Sequence, residues 1–240
     1  MEGQHFVLTP LGGGREIGGN AWHIEWDNLS CLIDCGTHPE RPAWLGLPAL
    51  GRIRRLDFVV LTHAHSDHSG ALPVLLQRHP VPVLMTNATC TLMRPMMQDA
   101  LKLQRRLFEV DRNGRAGHPE LGPPLFDSAD VERLFELTES LDAGYSRDGL
   151  TVTPFASGHI LGGVGLVLEK NGKRVLITSD IADTPKETSP GLFLPQGRFD
   201  LVISEGTRGL DCGEEDLPER TDEEEKAIRV LSRVLSRKGS

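Results

Sequence analysis

The stretch Thr62-His63-Ala64-His65-Ser66-Asp67-His68-Ser69-Gly70 gathers three imidazoles and a carboxylate within six residues. Imidazole nitrogen suits zinc and similar transition metals. A carboxylate beside it suits a hydrolytic centre rather than a purely structural one. The apolar run Leu56-Asp57-Phe58-Val59-Val60-Leu61 leads directly into the cluster, which places it at the end of a buried strand. His63 and His65 lie two apart, so an extended chain points them the same way. A turn into the following helix, Ser69-Gly70-Ala71-Leu72-Pro73-Val74-Leu75-Leu76, swings Asp67 and His68 back toward the same point, with Ser69 or Asp67 as the cap. The chemistry this spacing predicts is metal binding.

The pattern His-x-His-x-Asp-His followed by Ser-Gly resembles the signature of the metallo-β-lactamase superfamily. That resemblance implies two metals, with His63 and His65 on the first and Asp67 and His68 on the second. Further ligands are then needed, and two segments resemble the superfamily's later motifs. His159 in Ala156-Ser157-Gly158-His159-Ile160-Leu161-Gly162-Gly163 follows the strand-like Leu150 to Phe155 and would complete the first metal. Asp180 closes the β-rich run Arg174-Val175-Leu176-Ile177-Thr178-Ser179-Asp180 and would bridge both metals. Asp34, in Leu29-Ser30-Cys31-Leu32-Ile33-Asp34-Cys35-Gly36, resembles the first motif's aspartate, which supports a ligand loop from below without coordinating. His38, four residues further on, is expected to face substrate. The cofactors implied are two divalent ions, zinc or manganese.

A narrower resemblance comes from Leu11-Gly12-Gly13-Gly14-Arg15-Glu16-Ile17-Gly18-Gly19-Asn20. This loop is similar to the first hairpin loop of ribonuclease J and other β-CASP nucleases, including the endonuclease that cleaves messenger-RNA 3′ ends. Its glycines are expected to permit a tight turn near the metals. Asp200-Leu201-Val202-Ile203-Ser204-Glu205 resembles the stretch carrying that branch's motif A, with Glu205 as its catalytic acid. Pro82 to Thr89 also matches that branch. In those enzymes an inserted domain follows, and one of its histidines is a ligand of the second metal. Here the sequence ends at Ser240 and no histidine follows His159. The expectation is therefore an α/β fold, the αββα sandwich of the superfamily, incomplete at its C-terminal side. Residues 1–210 form the metal domain. Residues 211–240 form an acidic linker and an amphipathic helix leading toward the missing insert.

These residues need a scaffold, and the periodicities supply one. Phe6 to Leu11, Ala21 to Trp26 and Leu29 to Asp34 read as antiparallel strands, with Asp27-Asn28 as a turn. Phe58 to Thr62 delivers the histidine cluster. Thr91 to Phe108 and Asp127 to Leu141 have helical spacing. Residues 113–124, rich in glycine and proline, read as a mobile loop. Val164 to Leu168 and Val175 to Thr178 form a hairpin around Lys170-Asn171-Gly172-Lys173. Thr221-Asp222-Glu223-Glu224 is a capping box opening a helix that Gly239 would end.

The 240 residues fit one compact core plus an appendage. No apolar stretch is long enough to span a bilayer, and residues 1–5 lack the features of a secretory signal, so the expected setting is the cytoplasm. Cys31 and Cys35 share a strand about 13 Å apart, too far for a disulfide, and Cys90 and Cys212 have no CxxC partner. Reduced thiols fit that compartment. The net charge of −8 would argue against a nucleic-acid enzyme, but nine acidic residues and one arginine lie between Asp211 and Glu225. The rest is balanced, with basic groups at Arg52, Arg54 and Arg55 and at Lys102, Arg105, Arg106, Arg112 and Arg115.

Taken together, these residues predict a metal-dependent hydrolase. The resemblance implies a hydroxide held between two metals attacking a phosphodiester of RNA or DNA, with Asp67 and Asp180 orienting it. The alternatives are a hydrolase of small esters or thioesters and a non-catalytic subunit that joins a partner polypeptide or a second copy.

Overall fold

Strict alternation of buried apolar residues sends neighbours on one strand into two different cores, and that alternation organises the fold. The computed structural model describes residues 5–41, 45–112, 123–207 and 220–236. A six-stranded sheet runs in the order β1 (Phe6–Gly12), β2 (Ala21–Trp26), β3 (Leu29–Ile33), β4 (Phe58–Val60), β5 (Val83–Met85) and β6 (Thr138–Ser140). Its first two pairings are antiparallel and the last three parallel. A five-stranded sheet comprises β7 (Tyr145–Arg147), β8 (Leu150–Ala156), β9 (Val164–Lys170), β10 (Lys173–Ile177) and β11 (Leu201–Ile203). Only its β10–β11 pair is parallel.

Cys31 and Ile33 of β3, Phe58 and Val60 of β4 and Leu84 of β5 point into the layer between the sheets. There they meet Val152, Leu166, Leu168, Val175 and Ile177 from the second sheet. Leu32, Val59, Val83 and Met85 point the other way, against α2 (Leu72–Arg78), α3 (Asn87–Arg112) and α4 (Ser128–Glu136). The helix–sheet–sheet layering of the expected sandwich is thus in place. On the outer face of the second sheet, the described residues place a loop: Leu192 and Phe199 pack on Phe155, Val167 and Leu176.

Several local expectations are corrected. The helix foreseen over Asp127 to Leu141 stops at Glu136, and Thr138–Ser140 adds a parallel edge strand to β5. Asp127 does cap α4, its side chain accepting from the Ala129 and Asp130 amides. Neither Ser69 nor Asp67 caps α2. The chain instead makes a one-turn α1 (Ser66–Ser69), and α2 starts after Ala71 with Pro73 in its first turn. The Ser69 hydroxyl donates to the Ala64 and His65 carbonyls, which tightens the ligand turn. The β9–β10 hairpin turns at Asn171 and Gly172, both with positive φ as a two-residue hairpin demands.

The chain packs as two units, Met1–Glu205 and Gly206–Ser240, against an expected division after residue 210. In the second unit, α5 (Arg220–Ser236) exposes Ile228 and Val230. Residues 113–122 of the loop expected over 113–124, the acidic residues 211–219, His118, Arg115, Cys212 and Gly239 lie outside the described residues, as do the side chains of Arg112, Thr221, Glu223 and Glu224. Cys31, Cys35 and Cys90 are free thiols, the first two buried. No helix among the described residues is long and apolar enough to cross a membrane.

Candidate metal centre

Parallel strands release their chains at the same rim, and ligand crevices form outside such carboxyl ends. The ends of β3 and β4 in one sheet and β8, β10 and β11 in the other deliver Asp34, His63, His159, Asp180 and Glu205. His63, His65, His159 and Asp180 bring one donor atom each to within 4.8 Å of one another. Nδ1 of His65 lies 3.1 Å from Nε2 of both His63 and His159. Oδ2 of Asp180 stands 3.5 Å from Nε2 of His159 and 3.9 Å from Nε2 of His63. Tetrahedral zinc, with bonds near 2.0–2.1 Å, separates its ligands by about 3.3 Å. The donor set and its spacing therefore fit a divalent cation.

A second group adjoins it. Nε2 of His68 lies 3.4 Å from Asp180 Oδ1 and 3.7 Å from Asp67 Oδ2. Asp180 thus turns one oxygen to each group, as a bridging ligand would. Among the described residues this group holds three protein donors, which leaves room for water or substrate.

Behind the donors, hydrogen bonds fix which imidazole nitrogen is free. Asp34 accepts from the Thr62 amide at 2.8 Å and from the Thr62 hydroxyl, and Nδ1 of His68 donates to its Oδ2 at 2.7 Å. With its proton given to Asp34, the Thr62 hydroxyl accepts from Nδ1 of His63 at 3.1 Å and from the Ser179 hydroxyl at 2.7 Å. Both histidines therefore present Nε2 to the centre. Asp34 and Ser179 themselves sit at φ near +60° and +53°, strained for residues with a Cβ, and they meet through Thr62.

The electrostatics follow from burial and from the two carboxylates. Burial lowers the pKa of His63 to about 2, helped by His68, so that ring is neutral and ready to coordinate. Burial also opposes a charge on His68, but Asp34 and Asp180 outweigh it and hold its pKa up at about 10. A metal binding at Nε2 must displace that proton. Desolvation works against ionising Asp180, yet His68, His63 and His159 keep its carboxyl down at about 2.

Two residues quoted only as parts of motifs prove to touch the centre. The Asn20 side-chain amide lies 2.9 Å from Nε2 of His68, presenting NH2 when that ring is neutral and oxygen when it is protonated. Its position after Gly18-Gly19, in a loop already expected near the metals, was the available signal. Thr62 is the other, through the hydroxyl just described. Glu205 sits elsewhere than a free acid would: its Oε1 accepts from the Ile181 amide at 2.8 Å, strapping the turn that carries Asp180. His38 is taken up by its own loop, with Nδ1 accepting from Glu40 and Nε2 3.9 Å from Glu16, which also pairs with Arg41. Of the basic groups, Arg55 is committed to Asp57.

Asp34→Asn is expected to fold but to bind zinc about 10–100-fold more weakly. Its amide would present NH2 to Nδ1 of His68 and drive the imidazole proton onto the ligating nitrogen. Competition against a chromophoric chelator measures this, and an unchanged zinc affinity would remove Asp34 from its supporting role.

A model of the "Metallo-beta-lactamase superfamily domain" matches residues 23–188. The chain is similar to "Endoribonuclease YSH1" of Candida albicans, 29% identical over 86% of this chain and 24% of that protein. It is likewise similar to "Cleavage and polyadenylation specificity factor subunit 3-I" of Arabidopsis thaliana, at 27% over 87% of this chain and 29% of the relative. The Drosophila melanogaster "Cleavage and polyadenylation specificity factor 73" is 26% identical over 97% of this chain and 32% of its own length. The chain thus spans about a quarter to a third of these relatives. A solved metallo-β-lactamase fold protein, YhfI from Bacillus subtilis, aligns over 74% of this chain and 63% of its own at 15% identity and a TM-score of 0.43.

Proposed function

Since the chain belongs to the metallo-β-lactamase superfamily, we propose that it is the catalytic metal-binding part of a phosphodiesterase, a ribonuclease of the β-CASP branch. The observation that carries this reading is Asp180, with one oxygen toward His63 and His159 and the other toward His68. The endoribonucleases among its relatives point to RNA as the substrate.

His63, His65, His159 and Asp180 would hold a first divalent ion, and Asp67, His68 and Asp180 a second, zinc or manganese. Bound there, the ions supply Lewis acidity and a lowered pKa for water. The chain's own groups set direction. Asp67 and Asp180 accept hydrogen bonds from the attacking water and aim it at phosphorus. Thr62 and Asp34 hold the Nδ1 protons of His63 and His68 and so turn Nε2 of each ring toward the metals. Glu205 holds the Asp180 turn through the Ile181 amide, a positioning role. Asn20 faces the second group with a polarity that follows the protonation of His68. A reducing cytoplasmic setting, which the free buried thiols suit, and a partner polypeptide or a second copy belong to the same proposal.

Zinc-loaded chain should cleave a labelled single-stranded RNA, and Asp67→Asn should lower the rate by roughly 10²–10³-fold while zinc at the His63, His65 and His159 group is retained. Equal cleavage by the mutant would sink the assignment. Turnover of small esters with no action on RNA would move the substrate to the other hydrolase class.

A further inference from the structure

Residues 181–200 connect Asp180 to β11 with no helix or strand of their own, and loops of that length in a compact domain are usually functional. This one is fastened along its length to the chain that carries His159. Gly158 and Ile181 form an isolated bridge, the Ala182 amide donates to Ser157, and the Phe193 amide donates to Ala156 at 3.0 Å. A Cβ on Gly158, whose φ is +77°, would strike the Ala182 carbonyl at 1.9 Å and the Leu192 nitrogen at 2.5 Å. Only glycine lets the loop lie this close to His159. The far end is clamped by Arg174, which donates to the Gln196 and Arg198 carbonyls and stacks on Phe199.

Lys186, Phe193 and Leu194 are among the exposed side chains of this loop. Leu192 turns in and packs with Phe155, Val167 and Leu176. The next residue, Phe193, is 71% exposed, the only aromatic among the large exposed apolar residues described. Its neighbour Leu194 is 52% exposed and widens the apolar face. Lys186 stands in a turn closed by reciprocal backbone bonds with Ser189, and its ammonium donates to the carbonyl of His159 at 2.8 Å. That contact holds a positive charge within one residue's length of a candidate ligand, and Lys186 is felt by the His159 ring.

A fixed cation and a solvent-facing aromatic on one loop are groups that recognise single-stranded nucleic acid, the cation on phosphate and the ring on an unpaired base. We propose that the 181–200 loop is a single-strand guide beside the metal centre, with Lys186 contacting a backbone phosphate and Phe193 stacking on a base that flanks the scissile bond. This rests on the phosphodiesterase reading above. A duplex keeps its bases stacked and offers Phe193 no free face, so the loop selects unpaired RNA.

The test is fluorescence anisotropy of a short labelled single-stranded RNA, with a duplex of the same sequence as comparator, on the zinc-loaded and the metal-depleted chain. Phe193→Ala should weaken single-strand binding roughly tenfold and Phe193→Trp should restore it, since stacking tolerates any aromatic. Lys186→Gln should lower the slope of log affinity against log salt by about 0.7. Both variants should keep wild-type zinc content and urea midpoint, which separates recognition from folding. Wild-type RNA binding with Phe193→Ala and Lys186→Gln unaltered overturns the guide while leaving the phosphodiesterase reading intact. A wild-type chain that binds no RNA overturns both.

Discussion

Gly36→Ala is expected to abolish stable metal binding and to destabilise the chain by about 3 kcal/mol. A Cβ there would lie 1.6 Å from the carbonyl oxygen of Asp67, 2.0 Å from its carbon and 2.6 Å from the His68 nitrogen. All three are backbone atoms, so no side chain can swing aside. Three chain segments are laced together at this point. Cys35 donates to the His68 carbonyl at 2.7 Å, Thr37 to Ser66 at 3.0 Å, Gly36 to Asn20 at 2.9 Å and Asn20 to Asp67 at 2.8 Å. One methyl group pushes the Asp67–His68 turn away from both the Asp34 loop and the glycine-rich loop. It also pulls Nδ1 of His68 off Asp34. Elemental mass spectrometry and urea unfolding read the two effects. Wild-type zinc content in a Gly36→Ala chain with an unshifted midpoint would show that the turn has room the contacts deny.

Asp180→Ala should empty both metal positions and lower hydrolysis by roughly 10²–10³-fold or more, whereas Asp67→Asn spares the first group. The asymmetry follows from geometry, because Asp180 is the residue whose two oxygens face both groups, at 3.4 Å from His68 and 3.5 Å from His159. Its carboxylate also offsets the positive charge that burial makes costly on His68. Glu205→Gln is the control. It keeps an oxygen acceptor for the Ile181 amide, so metal content should hold near the wild-type value, while Glu205→Ala should loosen the turn and weaken it. Metal counts per chain across the four variants decide the matter. A full complement in Asp180→Ala would refute the bridging role.

The candidate ligands were legible because their spacing is local chemistry. His63 to His68 announce themselves through density at a strand end, and Asp34, His159 and Asp180 through the β-rich runs that precede them. What a one-dimensional reading could not supply was contact between distant loops. Asn20 reaches His68 only because the Gly19–Asn20 segment is bonded to Thr37 and Asp67 across the rim. Glu205 reads as a free acid until β11 pairs with β10 and sets it against Ile181. In the scaffold, β6 was hidden because Thr138-Glu139-Ser140 has no apolar alternation. It follows the helical spacing of Val131, Leu134 and Leu137, and only the edge of β5 makes it a strand. His38 was placed by proximity in sequence; its Nδ1 accepts from the Glu40 amide and its Nε2 lies 3.9 Å from Glu16.

The candidate donors come from two sheets that face each other across an apolar layer. His63 and His68 follow β4, His159 follows β8 and Asp180 follows β10. Pairing within either sheet alone assembles at most four of the six candidate ligands. The centre exists only once Phe58, Val60 and Leu84 have interleaved with Val152, Leu166 and Val175. An ion held there works as a cross-link between segments 91 to 117 residues apart in the chain, and it captures the docked state in preference to any intermediate. The fraction of chains that keep metal through desalting is thus a head count of molecules whose two halves have closed, an assay of native assembly that needs no substrate.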